Sequence, residues 1–227
     1  MSPRIHQIKT KRKASDRRAG AEPAGSEASG RSNGRASGPA ARNAIGLLEL
    51  TSIAKGIEAT DIMLKESDVE LLTSRSICSG KYMVLVRGDV AACTSSVAAG
   101  EDLGRETVAD SIVIPNLHEE VFPAVSQSAM VENVEALGIL EAFNVATLIE
   151  GADAAVKAAE VHLLEIRIAM ALGGKAFCVV TGGVSAVRAA VDAGKALIGE
   201  RGLLTNWAVI PAPDPDLVKE VLGGRLV

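Results

Sequence analysis

Aromatic side chains are scarce. Tyr82, Phe122, Phe143, Phe177 and Trp207 make up 2% of the sequence. That is too little to build stacking platforms for single-stranded nucleic acid, so a nucleic-acid partner is not expected. No apolar run approaches the ~20 residues of a membrane span, and the sequence reads as soluble. The basic N-terminus has no apolar segment behind it and does not read as a secretory signal. The histidines His6, His118 and His162 stand apart, which argues against a zinc site within one chain. Cysteine is limited to Cys78, Cys93 and Cys178, with no C-x-x-C pair. An odd, dispersed set reads as reduced thiols in a cytosolic protein rather than a disulfide framework.

What is present is globular. Hydrophobic residues account for 48% of the 227 positions and charged residues for 23%. The net charge of −4 hides a division. Residues 1–43 carry ten Lys/Arg against three Asp/Glu, a balance of +7, and the remainder carries −11. The segment is rich in Gly, Ala, Ser and Arg and reads as a disordered basic extension. Two readings of it stand open: a solvated tail, or a docking arm for acidic surfaces or nucleic acid through Lys9, Lys11, Arg12, Lys13, Arg17 and Arg18.

The body repeats itself. Residues 44–49 read AIGLLE and residues 136–141 read ALGILE, an offset of 92. At that offset Asp61 meets Asp153, Lys65 meets Lys157, Leu72 meets Leu164 and Arg75 meets Arg167. The offset steps to 94 at Gly80-Lys81 and Gly174-Lys175, then to 96 at Ile114-Pro115 and Ile210-Pro211. Two copies are too few for a solenoid, so they are two fused domains, 44–126 and 134–222.

Each copy reads as βαββαβ, the ferredoxin-like order of an α+β fold. The first has strands over 44–50, 69–74, 82–86 and 108–114. Its helices are one capped by Ser52 and one begun by Asp89 and stopped near Gly100. Residues 75–80 read as a loop. The second has strands over 136–142, 161–168, 175–181 and 203–210, with helices over 145–158 and 184–198. Alanine-rich helices predict close, flat packing against each sheet.

Enzyme motifs fail on inspection, and no catalytic residue is assigned. Gly173-Gly174-Lys175 resembles the end of a phosphate loop. Ala169 and Ala176, however, stand where that loop needs Gly and Ser/Thr. Glu119-Glu120 reads as a solvated helix start. At i, i+4 spacing Asp61/Lys65 and Asp153/Lys157 share a helix face and would pair, for only ~0.3–0.5 kcal/mol. Their recurrence in both copies hints at a role outside the domain. Cys93 and Cys178 read as core residues.

The segments AIGLLELTSIAKGIEATDIMLKESDVELL, CSGK, VRGDVAA and VAAG resemble the BMC domain of bacterial microcompartment shell proteins. The fused pair resembles the tandem, trimer-forming class, and in particular the type found in propanediol-utilisation shells. The likeness covers roughly 44–220. It implies a flat, pseudo-hexameric homotrimer that tiles with other shell proteins in a microcompartment shell within the cytoplasm. Lys65 and Lys157, with Asp61 and Asp153, would lie at the tile edge. Ser76, Ile77, Ser79, Gly80, Lys81, Met170, Gly173 and Gly174 would line a central pore. In the propanediol-utilisation type, a cysteine in a C-P-G-K loop binds a 4Fe–4S cluster on the three-fold axis, and Cys78 occupies that place. One thiol per chain cannot hold a cluster, which needs about four ligands, but three symmetry-related thiols nearly can. Lys81 would favour the thiolate. The cluster would pass electrons across the shell or serve encapsulated redox enzymes. Ser79 replaces the proline of that loop. The arginine that relatives place beside the proline at the domain end is missing after Pro115 and Pro211. A tile with a plain small-metabolite pore is the alternative. A sensor built on tandem ferredoxin-like domains is a third reading.

Overall fold

The computed structural model describes residues 41–168 and 175–222. Residues 1–40, which hold nearly all of the expected basic extension, lie outside that range. So does the second-copy loop with Met170, Gly173 and Gly174. The first copy runs β1 (Ala44–Leu50), α1 (Ile53–Glu66), β2 (Glu70–Ile77), β3 (Lys81–Gly88), α2 (Val90–Gly104) and β4 (Val108–Ile114). The short helix α3 (Val121–Val125) follows. The second copy runs β5 (Ala136–Ala142), α4 (Val145–Ala158), β6 (His162–Ile168), β7 (Ala176–Gly182), α5 (Val184–Glu200) and β8 (Leu204–Pro211). It ends in α6 (Pro215–Leu222). The sheets have the orders β2-β3-β1-β4 and β6-β7-β5-β8. All neighbouring strands are antiparallel. This is the ferredoxin-like topology, present twice.

The central strand of each sheet explains the repeated apolar motif. All seven residues of β1 are buried, because β3 and β4 flank it and both of its faces are covered. Leu48 and Leu50 pack with Met63 of α1 and Val97 of α2. On the opposite face, Ile45 and Leu47 join a core that also contains Leu148, Ile149 and Val156 of α4. The two copies therefore share one hydrophobic core. Helix starts follow the expected chemistry. Ser52, Asp89 and Asn144 each accept a hydrogen bond from the backbone N–H three residues on. The close helix–sheet packing is also present. A Cβ at Gly100 would lie 2.6 Å from Leu48 of β1, and one at Gly194 would lie 2.5 Å from Leu140 of β5.

Helix α2 does not stop near Gly100 but runs on to Gly104, and the structure departs from the expected elements in two further places. First, β2 does not end at Ser74. It continues to pair with β3 through Ser76↔Tyr82 and Ile77↔Lys81. The connection shrinks to a single 3-10 turn, Cys78–Gly80. Polar Arg75 and Ser76 suggest a loop, but ladder hydrogen bonds hold them in the strand. Second, α3 and α6 have no counterpart in the sequence reading. Helix α3 is five residues long with a central proline, too short to show a period.

Candidate functional site

The β2–β3 hairpin brings most of the expected pore residues together. Ser76 and Gly80 are exposed, and Ile77, Cys78 and Lys81 are half-buried. Gly80 has φ +73° with nothing within 4 Å of a Cβ position. The left-handed backbone is what closes so short a turn, and there glycine is favoured. Cys78 thus sits where the turn begins, with its thiol near the tip of the hairpin.

Lys81 enters an ion pair beside that turn. Its Nζ lies 3.2 Å from Glu49 Oε2, and that carboxylate is only 11% exposed. The second copy repeats the pair, Lys175 to Glu141 at 3.3 Å. Sequence reading missed both glutamates, although a signal was present. Each is an acid inside an apolar strand, and each keeps register with a repeated lysine.

The other thiols are core groups, as expected. Cys93 and Cys178 are buried. Burial raises their pKa to about 11 and about 12 respectively. No disulfide is present among the three. Among the described residues, no group of three or more His, Cys, Asp or Glu could hold a metal ion. Cys78 therefore fits a cluster only as one ligand of a site assembled from several chains.

The two Asp/Lys pairs form as their spacing predicts, both at 2.6 Å. Their surroundings differ. Asp61 and Lys65 are 61% and 73% exposed, whereas Asp153 is 15% exposed. Asp153 Oδ1 accepts the His118 backbone N–H at 2.7 Å, and Lys157 Nζ donates to the Asn116 carbonyl at 2.5 Å. The second pair thus clasps the chain leaving the first domain. Asn116 has φ +57°, which presents its carbonyl to the lysine.

Glu120 completes this junction and corrects half of the sequence reading of Glu119-Glu120: Glu119 is exposed as read, but the Glu120 side chain is only 26% exposed and both of its oxygens are engaged. Oε2 accepts the Leu163 N–H at 2.6 Å, and Oε1 meets His162 Nδ1 at 2.9 Å. His162 is accordingly not an isolated histidine. Arg87 also spans the junction region, with its guanidinium 3.9 Å from the centroid of the Phe122 ring.

Against known proteins, the model of the BMC domain matches residues 44–117 and 136–213. The bacterial microcompartment shell protein PduT of Citrobacter freundii is 45% identical over 181 residues, 80% of this chain and 98% of that one. The carboxysome assembly protein CcmO of Synechococcus elongatus is 33% identical, over 79% of this chain and 69% of its own. A crystal structure of a microcompartment protein from Desulfitobacterium hafniense superposes with a TM-score of 0.77 at 47% identity, covering 79% of this chain and 99% of that one. No described helix is long and apolar enough to cross a membrane. With a matching family model in both halves and a relative matched over nearly its whole length, the chain belongs to the BMC-domain family of bacterial microcompartment shell proteins.

Proposed function

We propose that three copies of this chain close into a ring of six BMC domains, a tile of a microcompartment shell. Its axis is surrounded by the β2–β3 turns, and Cys78 of each copy ligates one 4Fe–4S cluster there. The observation that carries the ring is a mismatch between equivalent helices and the strands that follow them. Ile53, Ile57, Leu64 and Leu71 are 46%, 57%, 37% and 41% exposed. Their second-copy counterparts Val145, Ile149, Val156 and Leu163 are at most 7% exposed. The second stripe is buried because first-copy residues Ile45, Leu47, Leu117 and Phe122 share its core. The first stripe awaits the equivalent surface of another chain. On the second copy that surface has Ile139, Phe177 and Ile210 only partly buried. Such a head-to-tail contact is heterologous, and a ring is its closed solution.

In this ring Asp61 and Lys65 meet the segment after β8 of the next copy, as Asp153 and Lys157 meet the segment after β4. Both pairs then sit at domain junctions on the rim, where other shell proteins abut. The cluster rests on the chemistry of the turn. A thiol at the hairpin tip, tripled by symmetry, supplies three of about four ligands, and a non-cysteine ligand completes the set. When bound, the cluster supplies one-electron transfer across the shell, to redox enzymes inside it. Anaerobic purification is expected to yield a brown trimer with about one cluster, and Cys78→Ser to yield a colourless trimer of the same mass. A colourless anaerobic wild-type trimer that takes up no iron and sulfide would overturn the cluster. The reading left would then be a structural tile with a small-metabolite pore. The Lys81–Glu49 pair favours that second reading, because it gives the lysine of the turn a structural partner.

A further inference from the structure

Arg75 and Arg167 occupy the same position in the two copies, and the shell role uses neither. Arg75 lies on β2 and Arg167 on β6. Despite that separation in sequence, both line one cavity of about 240 Å³, together with Gln127 and Ile168. The cavity therefore lies where the two copies meet. Gln127 follows α3 and has φ +58°.

The two guanidinium groups are not in equivalent electrical surroundings. Arg167 Nη2 is 3.0 Å from Glu165 Oε2, a carboxylate side chain only 3% exposed. Its guanidinium also lies 5.5 Å from the centroid of the Phe177 ring. One charge of this pair is therefore compensated within β6. In the first copy Thr73 stands in the place of Glu165. No ion pair to Arg75 is present among the described residues, and its Nε is buried with no hydrogen-bond partner. A buried donor without an acceptor is costly, more so on a charged group. An arginine presents several donors in a rigid fork that matches carboxylate and phosphate oxygens. The cavity thus combines two guanidinium side chains, one of them with no ion pair among the described residues, and an amide side chain.

We propose that this cavity is a binding site for a small oxyanion, a carboxylate or a phosphate. Arg75 is its principal donor, and Arg167 and Gln127 are flanking donors. The cavity is lined by one chain, so the site needs neither the ring nor a cluster. It gives a shell protein a place to hold an anionic metabolite at the seam between its two domains.

Arginine-selective 15N labelling of the full chain tests this by following the Nε–H signals of Arg75 and Arg167. Inorganic phosphate and acetate are titrated separately in a chloride buffer. Saturable movement of the Arg75 signal is expected. Response to phosphate alone assigns a phosphate, response to acetate alone assigns a carboxylate, and response to both assigns the shared oxyanion chemistry. Arg75→Gln, read at the Arg167 signal, is expected to weaken binding about tenfold or more. Arg75→Lys, which keeps the stem and the charge, should lose part of it. Lys195→Gln, on α5, should change nothing. The proposal is overturned if the wild-type Arg75 signal moves with neither anion, or moves without saturation. It is overturned equally if folded Arg75→Gln and Arg75→Lys bind as tightly as wild type.

Discussion

Glu49 illustrates what single residues do in this fold. It is an acid in a strand whose other side chains are apolar, and it is 8% exposed. Buried acids persist only with a partner, and Lys81 provides one beside the Cys78 turn. The buried places of Cys93 and Cys178 were legible because burial follows from period: Cys93 falls on the inner face of a helix and Cys178 within a buried strand. The Lys81–Glu49 contact was not, since the two residues lie 32 positions apart and meet only through the β1–β3 ladder. The buried thiols have a consequence for pH. Each is an acid whose folded pKa, about 11 for Cys93 and about 12 for Cys178, lies above the ordinary 9.0. Between pH 9 and those values the unfolded chain has released protons that the folded chain retains. Stability is therefore lost as pH rises through that window. Urea unfolding at pH 8 and pH 10.5 should show a shallower loss for the Cys93→Ala/Cys178→Ala variant than for wild type. An identical slope would refute the contribution.

Among the elements, the strands and long helices were readable because alternation and 3.6-residue spacing persist over many positions. Helix α3 was not, and it matters more than its length suggests. It places Val121, Phe122, Ala124 and Val125 in the shared core, and Glu120 at its start holds His162 and Leu163 at the beginning of β6. Edge strands leave N–H groups unpaired. The Leu163 N–H is instead satisfied by a side chain from the other copy, 43 positions away. No local pattern announces that bond. Glu120→Ala leaves the amide of a buried residue without its acceptor. It is expected to cost about 1–3 kcal/mol in denaturant unfolding, while Glu119→Ala, at an exposed neighbour, should stay within about 0.5 kcal/mol. Equal effects of the two would show that the junction does not depend on this carboxylate.

The whole molecule is two copies of one domain that are no longer equivalent. The repeat and the fold were visible in the sequence, because residues 44–115 and 136–211 stay aligned with only small steps in the offset. The asymmetry was not, because Ile57 and Ile149 are the same residue type at the same helical position. Only the docking of one copy on the other makes the first exposed and the second buried. That difference separates folding from assembly. An aspartate at position 149 puts a charge into the shared core with no partner, a change in the most destabilising class. An aspartate at position 57 meets solvent in the isolated chain and costs the fold little. In the proposed ring, however, it would face the apolar surface of the next copy. Ile57→Asp is therefore expected to give a folded chain of 23.4 kDa by analytical ultracentrifugation, with wild-type circular dichroism. The wild type should sediment as a trimer, and Ile149→Asp should fail to fold or unfold at much lower urea. An Ile57→Asp variant that still sediments as a trimer would place the contact between copies somewhere other than α1.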